Sequence, residues 1–207
     1  MKTPVILALL CFTAHLFAAS VARDLAVEAK IEQELTAIAP AAVPPFREAR
    51  IAIDQSHYEQ AIPLLRQVLT LAPNFDPAMR RLGSALIETG HGDEGMPLVE
   101  AAVHLKRSSA NLATLAFALV RRPKGAPSHG DLVHAGELLR EARSLPDGRD
   151  ASDLMLSVQI AMMLQNYSEA RTLMPELERI APNEAGTHFF AAYRRNPHHA
   201  RHRLMRL

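Results

Sequence analysis

His57-Tyr58-Glu59-Gln60-Ala61-Ile62-Pro63-Leu64-Leu65 and His91-Gly92-Asp93-Glu94-Gly95-Met96-Pro97-Leu98-Val99 lie 34 residues apart and read as one phrase. The same offset takes Ala49 to Gly83, Ala52 to Leu86 and Pro73 to Arg107. Self-similarity at a fixed period of roughly 20–50 residues marks stacked units, each too small to bury its hydrophobic face alone. Apolar side chains within each unit recur at three and four residues, the spacing of one helical face. The chain therefore reads as a row of helix pairs.

Four such units follow one another. The first spans 42–75, and its second helix carries Tyr58, Ala61, Leu65, Val68 and a closing Pro73. The small residue marks where the two helices of a pair touch, since a larger one would push them apart. The second spans 76–109 and opens with Met79-x-x-Leu82-Gly83-x-x-Leu86. A helical glycine costs about 1 kcal/mol relative to alanine, which close packing can justify. Gly95 stands at the small position and Arg107 replaces the closing proline. The third, 109–148, starts with Leu112, Leu115, Ala116 and Leu119 and resumes at Ala135, Leu138 and Leu139. Between them lies loop material with Pro123, Gly125, Pro127 and Gly130. Ala116 and Ala135 are 19 residues apart where Ala49 and Ala61 are 12 apart, so the turn holds an insertion of seven. The fourth spans 151–184 with Asn166-Tyr167-Ser168-Glu169-Ala170 at its turn, and a partial fifth, 185–193, contains Phe189 and Phe190.

By these residues the chain resembles the tetratricopeptide repeat family over 42–193. The resemblance implies an all-α, right-handed superhelical solenoid of antiparallel helix pairs. Its first helices would line a concave groove for a peptide or partner protein, with no catalysis and no cofactor. The period then maps Phe46, Arg50 and Asp54, and Arg80, Ser84, Ile87 and Glu88, onto the groove. Ala113, Phe117 and Arg121, and Met155, Gln159, Met162 and Met163, continue it. Arg50, Asp54, Arg80, Ser84, Glu88, Arg121 and Gln159 are the expected polar contacts, with Phe117, Met162 or Met163 as apolar anchors. Methionine adapts to varied guests. Some family members grip a terminal carboxylate through asparagines where Arg50 and Ser84 stand, so that clamp is not expected.

The flanks differ from the repeats. Residues 1–22 read as a signal peptide: Lys2, an apolar run from Val5 to Phe12, and small residues at Ala18, Ala19, Ser20 and Ala22. Cleavage near residues 20–22 predicts an exported, periplasmic or secreted protein; an uncleaved segment would instead anchor it in the inner membrane. Removal takes away Cys11, the only cysteine, and with it thiol and disulfide chemistry. Residues 23–41 form an N-terminal helix and linker. Asp24 is the expected N-cap, Leu25, Ile31, Leu35 and Ile38 the packed side, and Glu28, Glu32 and Glu34 a solvated face. Ala41 to Pro45 reads as a stiff connector. Residues 194–207 form a basic helix or tail with five arginines and no acid.

Setting that tail and Lys2 aside leaves 17 basic against 22 acidic residues in a chain of net charge +1. The balance gives no basis for nucleic-acid binding, while the tail suits peripheral contact with an anionic membrane or cell-wall surface. An adaptor of an envelope assembly (secretion, pilus or polysaccharide export), held by that tail, is the alternative reading. His198 and His202 stand four apart but have no carboxylate or thiol nearby to complete a metal site. Ser128, His129 and Asp131 lack the elbow and oxyanion turn of a hydrolase, so Asp131 is expected as an N-cap instead. The composition, 48% apolar and 5% aromatic without tryptophan, suits closely packed helices.

Overall fold

A computed structural model describes residues 25–121, 125–146 and 151–182. The signal segment, Asp24, the partial fifth unit and the basic tail lie outside the described residues. Among those described there are nine α-helices and no strand. They are α1 (Leu25–Ile38), α2 (Val43–Asp54), α3 (Tyr58–Leu71), α4 (Asp76–Glu88), α5 (Gly92–Leu105), α6 (Ser109–Val120), α7 (His129–Ser144), α8 (Ala151–Met163) and α9 (Tyr167–Ile180). Two compact units hold them, one with α1–α7 and one with α8 and α9.

Three of the turns within helix pairs repeat one device. Ser56, Gly90 and Gln165 each adopt positive φ, at 59°, 85° and 59°. The following amide donates back across the turn, from His57 to the Ala52 carbonyl, His91 to Leu86 and Asn166 to Ala161, at 2.7–2.8 Å. This is the Schellman closure, in which a left-handed residue lets the chain reverse and satisfies carbonyls that the helix end leaves open. The stretched third pair starts its second helix differently. Ser128 is the N-cap and Asp131 the third helical residue, and the two form a capping box. The Asp131 amide donates to Ser128 Oγ at 3.1 Å, and Asp131 Oδ2 accepts from the Ser128 amide at 3.0 Å. Asp131 thus belongs to the cap of α7 but not at the N-cap position expected of it.

Close helix contact in the second pair explains its glycines. A Cβ on Gly95 would lie 2.5 Å from the Gly83 carbonyl oxygen, and one on Gly83 would lie 2.7 Å from the Gly95 carbonyl oxygen. No real Cβ tolerates such a distance, so α4 and α5 approach backbone to backbone only because both positions are bare. Ala49 and Ala61, both fully buried, occupy the same register in the first pair. Leu65, Val68, Phe75, Leu82 and Leu86 extend that core from the first pair into the second.

Two expectations for the N-terminal segment need correction. The connector is a 3-10 turn over Pro40–Ala42, after which α2 has already begun at Val43. Pro44 and Pro45 therefore lie in the first helical turn, where an amide hydrogen has no intrahelical partner to lose. In α1, Leu35 is fully buried, but Leu25 and Ile38 are 72% and 65% exposed. The inward face of α1 is instead centred on Glu28, Ile31, Glu32 and Leu35.

Candidate functional site

The first helices of the second and third pairs, α4 and α6, lie directly against each other. No comparable contact joins their second helices, α5 and α7, so these pairs close up on the first-helix side. On that side Arg50 and Asp54 stand on α2, one turn apart, with Nη1 3.7 Å from Oδ2. Arg80, Ser84 and Glu88 stand on α4, and each is half-buried. Arg121, at the C-cap of α6, reaches back to α4 with Nη2 2.7 Å from Glu88 Oε2. Its guanidinium carbon lies 5.5 Å from the centre of the Phe117 ring. The first-helix side thus presents partly buried arginines and carboxylates held in pairs.

Other expected lining residues are structural. Phe46 is fully buried and meets Phe75 edge to face at 5.5 Å, and Ile87 is buried as well. In the unit holding α8 and α9, Met162 packs into the core with Leu154, Val158, Met174 and Leu177. Gln159 is only 5% exposed. Both side chains, expected as groove contacts, are thus buried within their own unit. Met163 and Met155 remain half-buried.

Glu28 and Glu32 of α1 are not part of a solvated face. Glu28 Oε1 and Oε2 accept from Arg81 Nη2 at 2.6 and 2.8 Å, with side chains 9% and 4% exposed. The Arg81 guanidinium also lies over the Phe46 ring, 4.5 Å from its centre. Glu32 Oε2 accepts from Arg47 Nε at 2.7 Å, and Glu32 Oε1 lies 4.0 Å from Arg50 Nε. Of this set only Phe46 and Arg50 were expected at the site. The others carried a signal: Arg47 and Arg81 stand 34 residues apart, and Glu28 and Glu32 stand one helical turn apart.

Polar ties also join neighbouring pairs. Asn111, buried at the start of α6, donates through Nδ2 to the Lys106 carbonyl and Asp76 Oδ2, each at 2.8 Å. Arg107, where the repeat usually closes on proline, grips Glu141 of α7 with two bonds of 2.9 and 2.6 Å. That bond raises the Arg107 pKa and holds the Glu141 carboxyl below its ordinary value. Among the described residues, no group of three His, Cys, Asp or Glu is placed to hold a metal ion. No described helix is long and apolar enough to cross a membrane.

Successive antiparallel helix pairs at a fixed period, with the first helices of the second and third pairs in contact, define a helical-repeat protein of the solenoid class. Residues 52–116 match the tetratricopeptide repeat family model. That segment carries tetratricopeptide repeats, and repeats of this kind generally mediate protein–protein interaction. The chain matches no curated protein.

Proposed function

We propose that the chain is a non-catalytic scaffold that binds a peptide or partner protein on the first-helix side of its repeats. The observation that carries this is the set of half-buried polar side chains on α2, α4 and α6. Arg50, Arg80, Ser84, Glu88 and Arg121 occupy a side where a core would hold aliphatic residues. Partly desolvated charges of this kind orient a guest and reject wrong ones, since a guest must match their sign and spacing. The segment 1–22 supports an exported location for the scaffold, through Lys2, the apolar run after it and the small residues before Arg23.

Affinity capture from the native extract, followed by mass spectrometry, tests the reading when wild type is set beside Arg80→Glu. The variant is expected to lose its specific partner by about tenfold or more, as one reversed contact charge can produce. Circular dichroism should show the same helical content in both. Identical recovery by a folded variant removes the first-helix side as the binding surface.

A further inference from the structure

The N-terminal helix lies on the first-helix side as a ligand would. Two of its carboxylates, Glu28 and Glu32, are one helical turn apart and meet arginines at equivalent positions of successive repeats. Glu28 meets Arg81 of the second pair and Glu32 meets Arg47 of the first. The helix then returns into α2 through the 3-10 turn at Pro40–Ala42. Ile31 and Leu35 share its inward stripe, Leu35 fully buried and Ile31 partly so. Leu25, Val27 and Ile38 are 72%, 51% and 65% exposed. Spacings of three and four residues along 28, 31, 32 and 35 place all four inward side chains on one helical face.

The receptor side restricts what can occupy this place. A guanidinium held against an aromatic ring and out of water requires an anion, because an uncompensated buried charge is costly. Whatever covers Arg81 and Phe46 must therefore bring a carboxylate, and Arg47 and Arg50 favour a second one a turn away. The aliphatic pair Ile31 and Leu35 supplies the apolar half of the recognition. A tether as short as Pro40–Ala42 gives α1 an effective concentration on the order of millimolar, so it competes strongly with any guest in solution.

We propose that the first-helix side of the α2/α3 and α4/α5 pairs is a receptor for an acidic amphipathic helix of a partner protein. Its pattern is Glu-x-x-aliphatic-Glu-x-x-Leu, and α1 is the resident copy in cis. The proposal rests on the scaffold reading and names the guest. Binding requires α1 to lift away, exchanging the Glu28–Arg81 pair for an equivalent one.

The probe is a fluorescent synthetic peptide with the sequence of residues 25–39, titrated against the full chain by anisotropy. Glu28→Gln/Glu32→Gln weakens the resident helix and is expected to bind the peptide at least about tenfold more tightly than wild type. Adding Arg47→Ala/Arg81→Ala abolishes that binding, and a peptide with glutamine in place of Glu28 and Glu32 binds none of the chains. Hydrogen exchange on the wild-type chain at saturating peptide gives a readout that depends on no variant. The α1 amides lose protection while those of α2–α5 keep theirs. Peptide bound with α1 still protected, no binding to the glutamine variant, or equal binding without the two arginines overturns the proposal. Partner capture retained by Arg47→Ala/Arg81→Ala but lost by Arg80→Glu also overturns it while leaving the scaffold reading intact. Capture unaffected by either change removes the scaffold reading itself.

Discussion

The first and second helix pairs share one register and use it differently. In α2 and α3 this register holds Ala49 and Ala61, both fully buried; where α4 and α5 touch, Gly83 faces Gly95 with no room for a Cβ on either. Arg47 and Arg81 occupy one register position as well, yet Arg47 is 58% exposed and Arg81 only 4%. The period determines where helices meet and which side a residue faces. Neighbours outside the repeat decide what that side experiences. Arg81 is buried because Phe46 lies on one side of it and Glu28 of α1 accepts its charge, and α1 belongs to no repeat.

Steric change at the shared contact breaks this comparison most strongly. Gly95→Val is expected to destabilise the chain by about 3 kcal/mol, as overpacking against a backbone oxygen does. Gly95→Ala should also destabilise, by about 1–2 kcal/mol, although alanine is the better helix former by about 1 kcal/mol. Ala61→Gly at the same register destabilises by a similar amount for the opposite reason, lost helix propensity and a methyl-sized void. Chemical denaturation distinguishes these cases. A Gly95→Ala chain more stable than wild type would mean that α4 and α5 do not meet backbone to backbone.

The smallest effect belongs to the exposed Arg107–Glu141 pair, which stands where the first unit has Pro73. Arg107 holds the Glu141 carboxyl below its ordinary value, chiefly through the hydrogen bond. A carboxylate shifted this way stabilises the fold above its unfolded pKa and loses that contribution as pH falls through the folded one. Glu141→Gln should therefore cost slightly at pH 7 and less at an acid pH low enough to protonate the wild-type carboxyl as well. Equal differences at both values would show that the charge plays no part.

Helix pairs and the close contact of the second pair were legible because each leaves a local mark at a fixed spacing. Gly83 advertised its close approach, since a glycine inside a helix needs a steric reason. The site was less legible. Arg50, Arg80, Ser84, Glu88 and Arg121 follow from the period, and the structure brings Arg50 with Asp54 and Arg121 with Glu88 into ion pairs. Gln159 and Met162 follow from the same period yet are buried, because periodicity gives direction and not coverage. Glu28 and Glu32 look like an ordinary solvated face when α1 is read alone. Their partners are 53 and 15 residues away, and only the fold brings them within reach.

A double-mutant cycle between Glu28 and Arg81, run beside one between Glu32 and Arg47, tests the seating of α1 most directly. Glu28→Gln and Arg81→Met, singly and together, should give a coupling of about 2 kcal/mol, as expected for a buried, hydrogen-bonded charge pair. Glu32→Gln and Arg47→Met should give less than about 1 kcal/mol, as exposed pairs do. A Glu28–Arg81 coupling near zero, or one no larger than that of Glu32 and Arg47, would contradict the account.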